Sequence, residues 1–363
     1  MRMPRIRMRP VLLLLSVSLA GCGHTQAQDR LKDLDRHISA QSWQNAAEAV
    51  DAIKGLRPVD VETCRAVARR CAYDIAGQIG DHNEYRDRYK WIARAMALLR
   101  IAAEQTDNDP RIMYDIGTTL SERIGHSQSS ESRAFRRYFV VDEMKRLENL
   151  GAREVPQGDA DNLRVALRCF QQVQRQLDVG DAAFRESFFN EVKPEEFYAQ
   201  EAICKAHHAM ALENEGIFGE QGRRYWELAW RSWQEHGNRE IRTVEGQSVR
   251  LQEANGDYGF WMARCEFGTI LDVLEARKQL YQASARYLAG DLEAAHRLFE
   301  AGFTKLIPEL KRFPILMEND HFMTTLGRFA SEYRTVRGSR KVTESPEFSA
   351  IDKMFDIEPE PVK

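Results

Sequence analysis

Along most of the chain, apolar residues recur at intervals of three and four, and the period-two alternation of a half-buried strand is nearly absent. A face that repeats every ~3.6 residues is buried only when the backbone is helical. The pattern therefore restricts the chain to an all-α fold. Cys64, Val67, Ala68, Cys71, Ile75 and Ile79 form one such seam, ending at Gly80. Tyr89, Ile92, Ala93, Met96 and Leu99 form the next, stopped by Asp107-Asn108-Asp109-Pro110. The stretch 29–55 divides into two short helices around Ala40-Gln41, the second carrying Trp43, Ala46, Ala47, Val50 and Ile53. Ile112 to Ile124, closed by Gly125, and a helix with Phe135, Tyr138, Phe139, Met144 and Leu147 complete an N-terminal helical region over 29–150.

Residues 151–161, with Pro156 and Gly158, carry the strongest linker signal inside the chain. Beyond it the spacing predicts helices near 160–176, 194–215, 222–236, 240–253, 258–289, 291–305 and 320–336, a C-terminal helical region over 162–337. Residues 338–363 are expected to form a loop, a last short helix and a fraying tail. The 363 residues would suit two domains of roughly 150 each. Helices of about 12–20 residues with a loose period near 35–40 suit one array of paired helices better.

Ile116-Gly117, after Asp109-Pro110 and Tyr114, resembles the first helix of a tetratricopeptide repeat, where a small residue admits the paired helix. Gly290-Asp291-Leu292-Glu293-Ala294-Ala295 with Phe299 resembles that repeat's turn and second helix, and Trp43 to Ala49 does so more loosely. No unit carries the whole repeat pattern. The resemblance implies an irregular tetratricopeptide-like α-solenoid of antiparallel helix pairs. The run from Trp91 through Asp109-Pro110 and Ile116-Gly117 to Ile124-Gly125, then Arg133 to Phe139, is similar to helical-repeat envelope proteins of planctomycete type, as is Leu288 to Pro314. Those relatives imply architecture and no chemistry.

The first residues differ in kind. Arg2, Arg5, Arg7 and Arg9 precede an apolar run from Val11 to Ala20. Ten helical residues span about 15 Å, half of a ~30 Å hydrocarbon core, so the run suits a signal peptide over 1–21 better than a permanent span. Leu19-Ala20-Gly21-Cys22 resembles the lipobox of bacterial lipoproteins. That resemblance implies cleavage before Cys22, a diacylglyceryl thioether on its sulfur and an N-linked acyl chain such as palmitate. Several chains anchor stably at about 0.8 kcal/mol per buried methylene. Gly23 in place of Asp then implies an outer-membrane lipoprotein facing the periplasm, with 22–28 as a lipidated tether. Without residues 1–21, which hold four Arg and no acid, the net charge moves from −3 to −7. A mildly acidic exported protein is a poor nucleic-acid binder, and the lipid, not the field, must hold it to an anionic membrane.

Five cysteines remain: Cys64, Cys71, Cys169, Cys204 and Cys265. An odd number is a poor disulfide framework. Cys64 and Cys71, two helical turns or about 10.5 Å apart, exceed the ~7 Å Cα limit for a bridge. They read as core thiols, while a bridge between distant cysteines such as Cys169 and Cys204 stays open.

Candidate chemistry is sparse. Cys204 and His208, with Glu201 one turn before, share a helix face and would supply two or three zinc ligands, but no second half-site accompanies them. The competing reading is a core Cys beside His207 and His208. Trp226, Trp230 and Trp233 fall on one helix face, with Trp261 following Tyr258 and Phe260. Such a stripe packs between helices or offers an aromatic platform to a peptide or glycan. Arg133, Arg136 and Arg137, near Lys145 and Arg146, make a basic helix face around Phe135, Tyr138 and Phe139; it is either solvated or turned to phosphate-bearing lipid or an acidic partner. Phosphate-binding, serine-hydrolase, zinc-protease and calcium-loop motifs are missing, Pro110 spoiling the Asp107-Asn108-Asp109 start of the last. No cofactor is implied. The expected function is a membrane-anchored, non-catalytic scaffold binding a protein or peptide partner, with Trp226, Trp230, Trp233 and Trp261 as its contact residues. An envelope enzyme using Cys204 and His208, or a glycan-binding structural component, is the alternative.

Overall fold

The computed structural model describes residues 28–55, 60–80, 85–125, 129–150, 161–179, 195–214, 220–242 and 248–340. Cys22, the signal region and the short helix expected after residue 338 lie outside those bounds, apart from 338–340. The fold is all-α, and the chain divides into two compact units, Met1–Asn190 and Glu191–Lys363.

The first unit opens with α1 (28–39) and α2 (Trp43–Lys54), separated where Gln41 takes φ 51°. Helix α3 (Val61–Arg69) starts under an Asp60 cap that accepts from the Thr63 amide. It continues through a π-helical segment, Arg70–Ile75, into Ala76–Gln78. Helix α4 (Arg86–Gln105) is the central element, burying Tyr89, Trp91, Ile92, Ala95, Met96, Leu98 and Leu99. Asp107 and Asn108 turn the chain at positive φ, Asp109 caps the next helix and Pro110 occupies its first turn, where a missing N–H costs nothing. That helix, α5 (Pro110–Thr118), also ends in a π-helical segment, Thr119–Ile124, closed by Gly125 at φ 63°. The two π segments touch: Arg123 donates to the Ala72 carbonyl at 2.7 Å, and Tyr73 donates to Glu122 at 2.9 Å. Helices α6 (Ser130–Asn149) and α7 (Asn162–Val179) complete the unit.

Helix α7 packs on α5 at Gly117. A Cβ there would lie 2.5 Å from the Phe170 ring, so the missing side chain sets the distance between the helices. Asp161 pairs with Arg136 at 2.8 Å, and Asn162 donates to the carbonyls of Leu120 and Gly125. The two units divide at Asn190/Glu191; the linker expected over 151–161 lies, apart from Asp161, outside the described residues.

The second unit contains α8 (Glu195–Glu213) and α9 (Glu220–Gly237), then an antiparallel pair of strands, β1 (Glu240–Arg242) and β2 (Ser248–Arg250), with Ile241 opposite Val249. A helix was expected over 240–253. Among the described residues only α10 (Leu251–Ala254) is helical there, because the β-branched Ile241 and Val249 favour extended pairing. The single helix expected over 258–289 is two, α11 (Tyr258–Thr269) and α12 (Leu271–Leu288), broken where Ile270 is extended at ψ 124°. Helix α13 (Leu292–Arg312) runs past its expected end at 305 and through Pro308; a 3-10 turn, Pro314–Glu318, and α14 (Asp320–Arg340) follow.

Helices α12 and α13 turn back on each other through Gly290 at φ +78° and pack along their length. Gly302 seats against Leu280 and the Ala276 carbonyl. Phe299, Phe303, Leu306, Phe329 and Tyr333 fill the core between α12, α13 and α14.

Candidate functional site

The tryptophans meet in the second unit, where helical spacing put three of them on one face of α9. Trp226 and Trp233 have no exposed surface. Trp226 lies against Gly268 of α11, with the Arg264 guanidinium 4.4 Å and that of Arg277 5.6 Å from its ring centre. Trp233 stacks on Trp261 at 5.8 Å with ring planes 3° apart, and its carbonyl accepts from the Tyr258 hydroxyl at 3.0 Å. These two rings hold α9 and α11 together, which corrects their expected part in an exposed platform. Trp230 and Trp261 are half-buried and keep some surface.

Cys204 and His208 lie one turn apart on α8. The Cys204 thiol is buried, accepts from Ser232 at 3.5 Å, and burial pushes its pKa well up, with Ser232 opposing. His208 sits edge-on to Trp261 at 4.9 Å and to Trp226 at 5.5 Å. Burial lowers the neighbouring His207, partly opposed by Glu235. Among the described residues no group of three or more His, Cys, Asp and Glu converges on a point where a metal would sit. All five described cysteines are buried and none is in a disulfide, and burial raises the thiols of Cys71 and Cys265 to about 12 and that of Cys169 to about 11. Cys71, Cys169, Cys204 and Cys265 thus lack the lowered pKa of a nucleophile.

The basic helix face is more eventful. Phe135 and Phe139 are buried, Arg136 is committed to Asp161, and Arg146 is committed to the buried Glu143. Lys145 and Arg137 remain exposed. Lys145 faces a groove of about 720 Å³ that lies within the first unit. Its floor is the one face of α4 not turned to the core: Arg86, Lys90, Ala93, Arg94 and Ala97, at helical spacing. Val50, Asp51 and Lys54 of α2 form one wall, and Tyr138, Val141, Asp142 and Lys145 of α6 form the other.

Five cations thus face two carboxylates. Each carboxylate is exposed, and Asp142 also accepts from the Tyr89 hydroxyl at 3.0 Å. Burial, then the Asp142 charge, push the Tyr89 phenol far up, so it stays a donor. Lys90 pairs with Asp87 at 2.6 Å in an exposed contact of the kind that contributes about 0–1 kcal/mol. Arg94 is steadied by the Trp91 ring, 4.9 Å from its centre. Val141 is half exposed and the two alanines keep the floor low, so the groove mixes positive charge with apolar surface. Sequence reasoning put Lys145 and Tyr138 on a candidate face and missed the rest. The basic stripe of α4 is visible in the sequence, but nothing there says that α2 and α6 will wall it.

No helix of the described residues is long and apolar enough to cross a membrane. Comparison of the chain with protein-family models, with curated proteins and with solved structures finds no match to any of them, so the functional reading rests on these residues.

Proposed function

We propose that the protein is a lipid-anchored, non-catalytic helical scaffold of the cell envelope that holds a protein or peptide partner in the groove over α4. The paired helices are read as an irregular tetratricopeptide-like array, and Cys22 as the lipidated residue on the periplasmic face of the outer membrane. One observation supports the binding role above the others: a recess of about 720 Å³ with charged walls and a low alanine floor, on one face of a helix whose opposite face is core. Pockets of this size with convergent polar groups are where ligands are held. The half-buried Trp230 and Trp261 remain a lesser contact candidate on the second unit.

A photo-crosslinking amino acid in place of Ala97 tests the groove in intact cells. Discrete adducts are expected, and Ala93→Trp, which fills the floor, should abolish them. Adducts that persist unchanged in the filled variant would remove the groove from consideration. The anchor is tested separately: Cys22→Ala should release the protein from membranes, and retention through a high-salt wash would refute lipidation at that residue.

A further inference from the structure

We infer that the groove takes an acidic peptide segment in extended conformation, about five residues long, with carboxylates at alternate positions. This rests on the reading of the groove as a partner site and specifies its ligand. Arg86, Lys90 and Arg94 stand four residues apart along the floor. Four helical residues rise about 6 Å, and alternate side chains of an extended strand repeat at about 6.6 Å. Three cations therefore span about 12 Å, and the first, third and fifth residues of a strand span about 13 Å. The two ladders stay in step over this length.

Lys54 and Lys145 add charge from opposite walls, so the positive field is concentrated inside the recess. A planar bilayer meets a convex face and does not enter such a recess, which favours a chain over a membrane surface. Ala93 and Ala97 let a peptide backbone lie low. Val141 and the Tyr138 ring offer apolar contact to the intervening residues, so the fitting sequence alternates acidic and aliphatic side chains. Lys90 would exchange Asp87 for a ligand carboxylate at small cost, since the present pair is solvent-exposed.

The probe is a labelled peptide, acetyl-Glu-Val-Glu-Val-Glu-amide, titrated into the full chain and read by fluorescence anisotropy. Binding should be saturable and weaken as salt is raised, and the Lys-Val-Lys-Val-Lys counterpart should not bind. Arg86→Glu and Arg94→Glu should each weaken binding about tenfold, while Arg94→Lys should largely retain it. Lys145→Glu, an exposed substitution on α6 that leaves the core untouched, should weaken it comparably and guards against loss of folding in the α4 variants. Equal binding of the lysine peptide, or charge reversals without effect, would overturn the inference. So would displacement by inorganic phosphate at matched concentration, or Lys145-dependent binding of vesicles containing anionic phospholipid in place of the peptide. If the peptide fails while Ala97 adducts still form and vanish in Ala93→Trp, the ligand chemistry is wrong and the scaffold reading stands.

Discussion

Glu143 is only 2% exposed and yet carries charge at neutral pH. Burial alone would raise its carboxyl, but hydrogen bonds and charge from Arg146 and Arg100, at 2.7 and 2.6 Å, outweigh it and hold the group below the usual carboxylate range. A depressed folded-state value contributes stability above the unfolded value near ~4.3 and loses it as pH falls through the folded one. Glu143→Gln should therefore cost about 2 kcal/mol at pH 7, the scale of a hydrogen bond to a charged group, and should flatten the acid limb of the stability curve. Urea unfolding at a series of pH values reads both, and equal acid slopes in the two proteins would refute the assignment. Asp115 behaves oppositely: burial outweighs Arg65, its carboxyl is raised, and its contribution is present at low pH and lost as pH rises through the folded value. The Asp115 balance is not legible in a sequence, because Arg65 comes from another helix; the Glu143 balance is half legible, since Arg146 follows three residues on in α6 while Arg100 comes from α4.

Helices in both units approach through missing side chains. Gly268 faces the inner atoms of the Trp226 indole, and that ring is clamped by Arg264 and Arg277. Gly→Ala within a helix ordinarily gains up to ~1 kcal/mol of propensity. At residue 268 the added methyl meets the indole at its root, where rotation cannot relieve the overlap. Overpacking of that kind costs about 1–3 kcal/mol, so Gly268→Ala should lower the melting temperature where propensity alone would raise it. Thermal unfolding decides the sign, and a stabilised variant would mean that α9 and α11 are further apart than described. Gly117 against Phe170 follows the same logic, and there the small residue was recognisable from the repeat-like pattern around Ile116. Gly268 gave no such sign. The strands at 240–242 and 248–250 teach the converse, since short β-branched segments beside a glycine fit either period until pairing selects one.

Over the whole molecule, the division into units makes a claim about where the chain can be cut. A fragment of residues 28–190 keeps α7 on α5, with Phe170 over Gly117 and Asp161 on Arg136, and should unfold cooperatively with high helical content. A fragment of residues 28–160, ending at the linker that composition suggests, strips Phe170 from α5 and should melt earlier and bind a hydrophobic dye. Circular dichroism and dye fluorescence compare the two, and equal stability would favour a boundary at 151–161. Helix positions in the first unit, the turns at Ala40-Gln41 and Asp107 to Pro110, and the buried seam from Cys64 to Ile75 were determined by the sequence itself, because a helix periodicity and its caps are written in consecutive residues. The same pattern said that Trp226 and Trp233 share a face, and only packing decided that the face is interior. Arg86, Lys90 and Arg94 also fall in line at helical spacing, a stripe that the sequence reading passed over, and the walls supplied by α2 and α6 were a tertiary decision. The reason is common to both cases: periodicity defines which residues a helix turns the same way, and the helices that come to lie beside it define whether that way is core, groove or solvent.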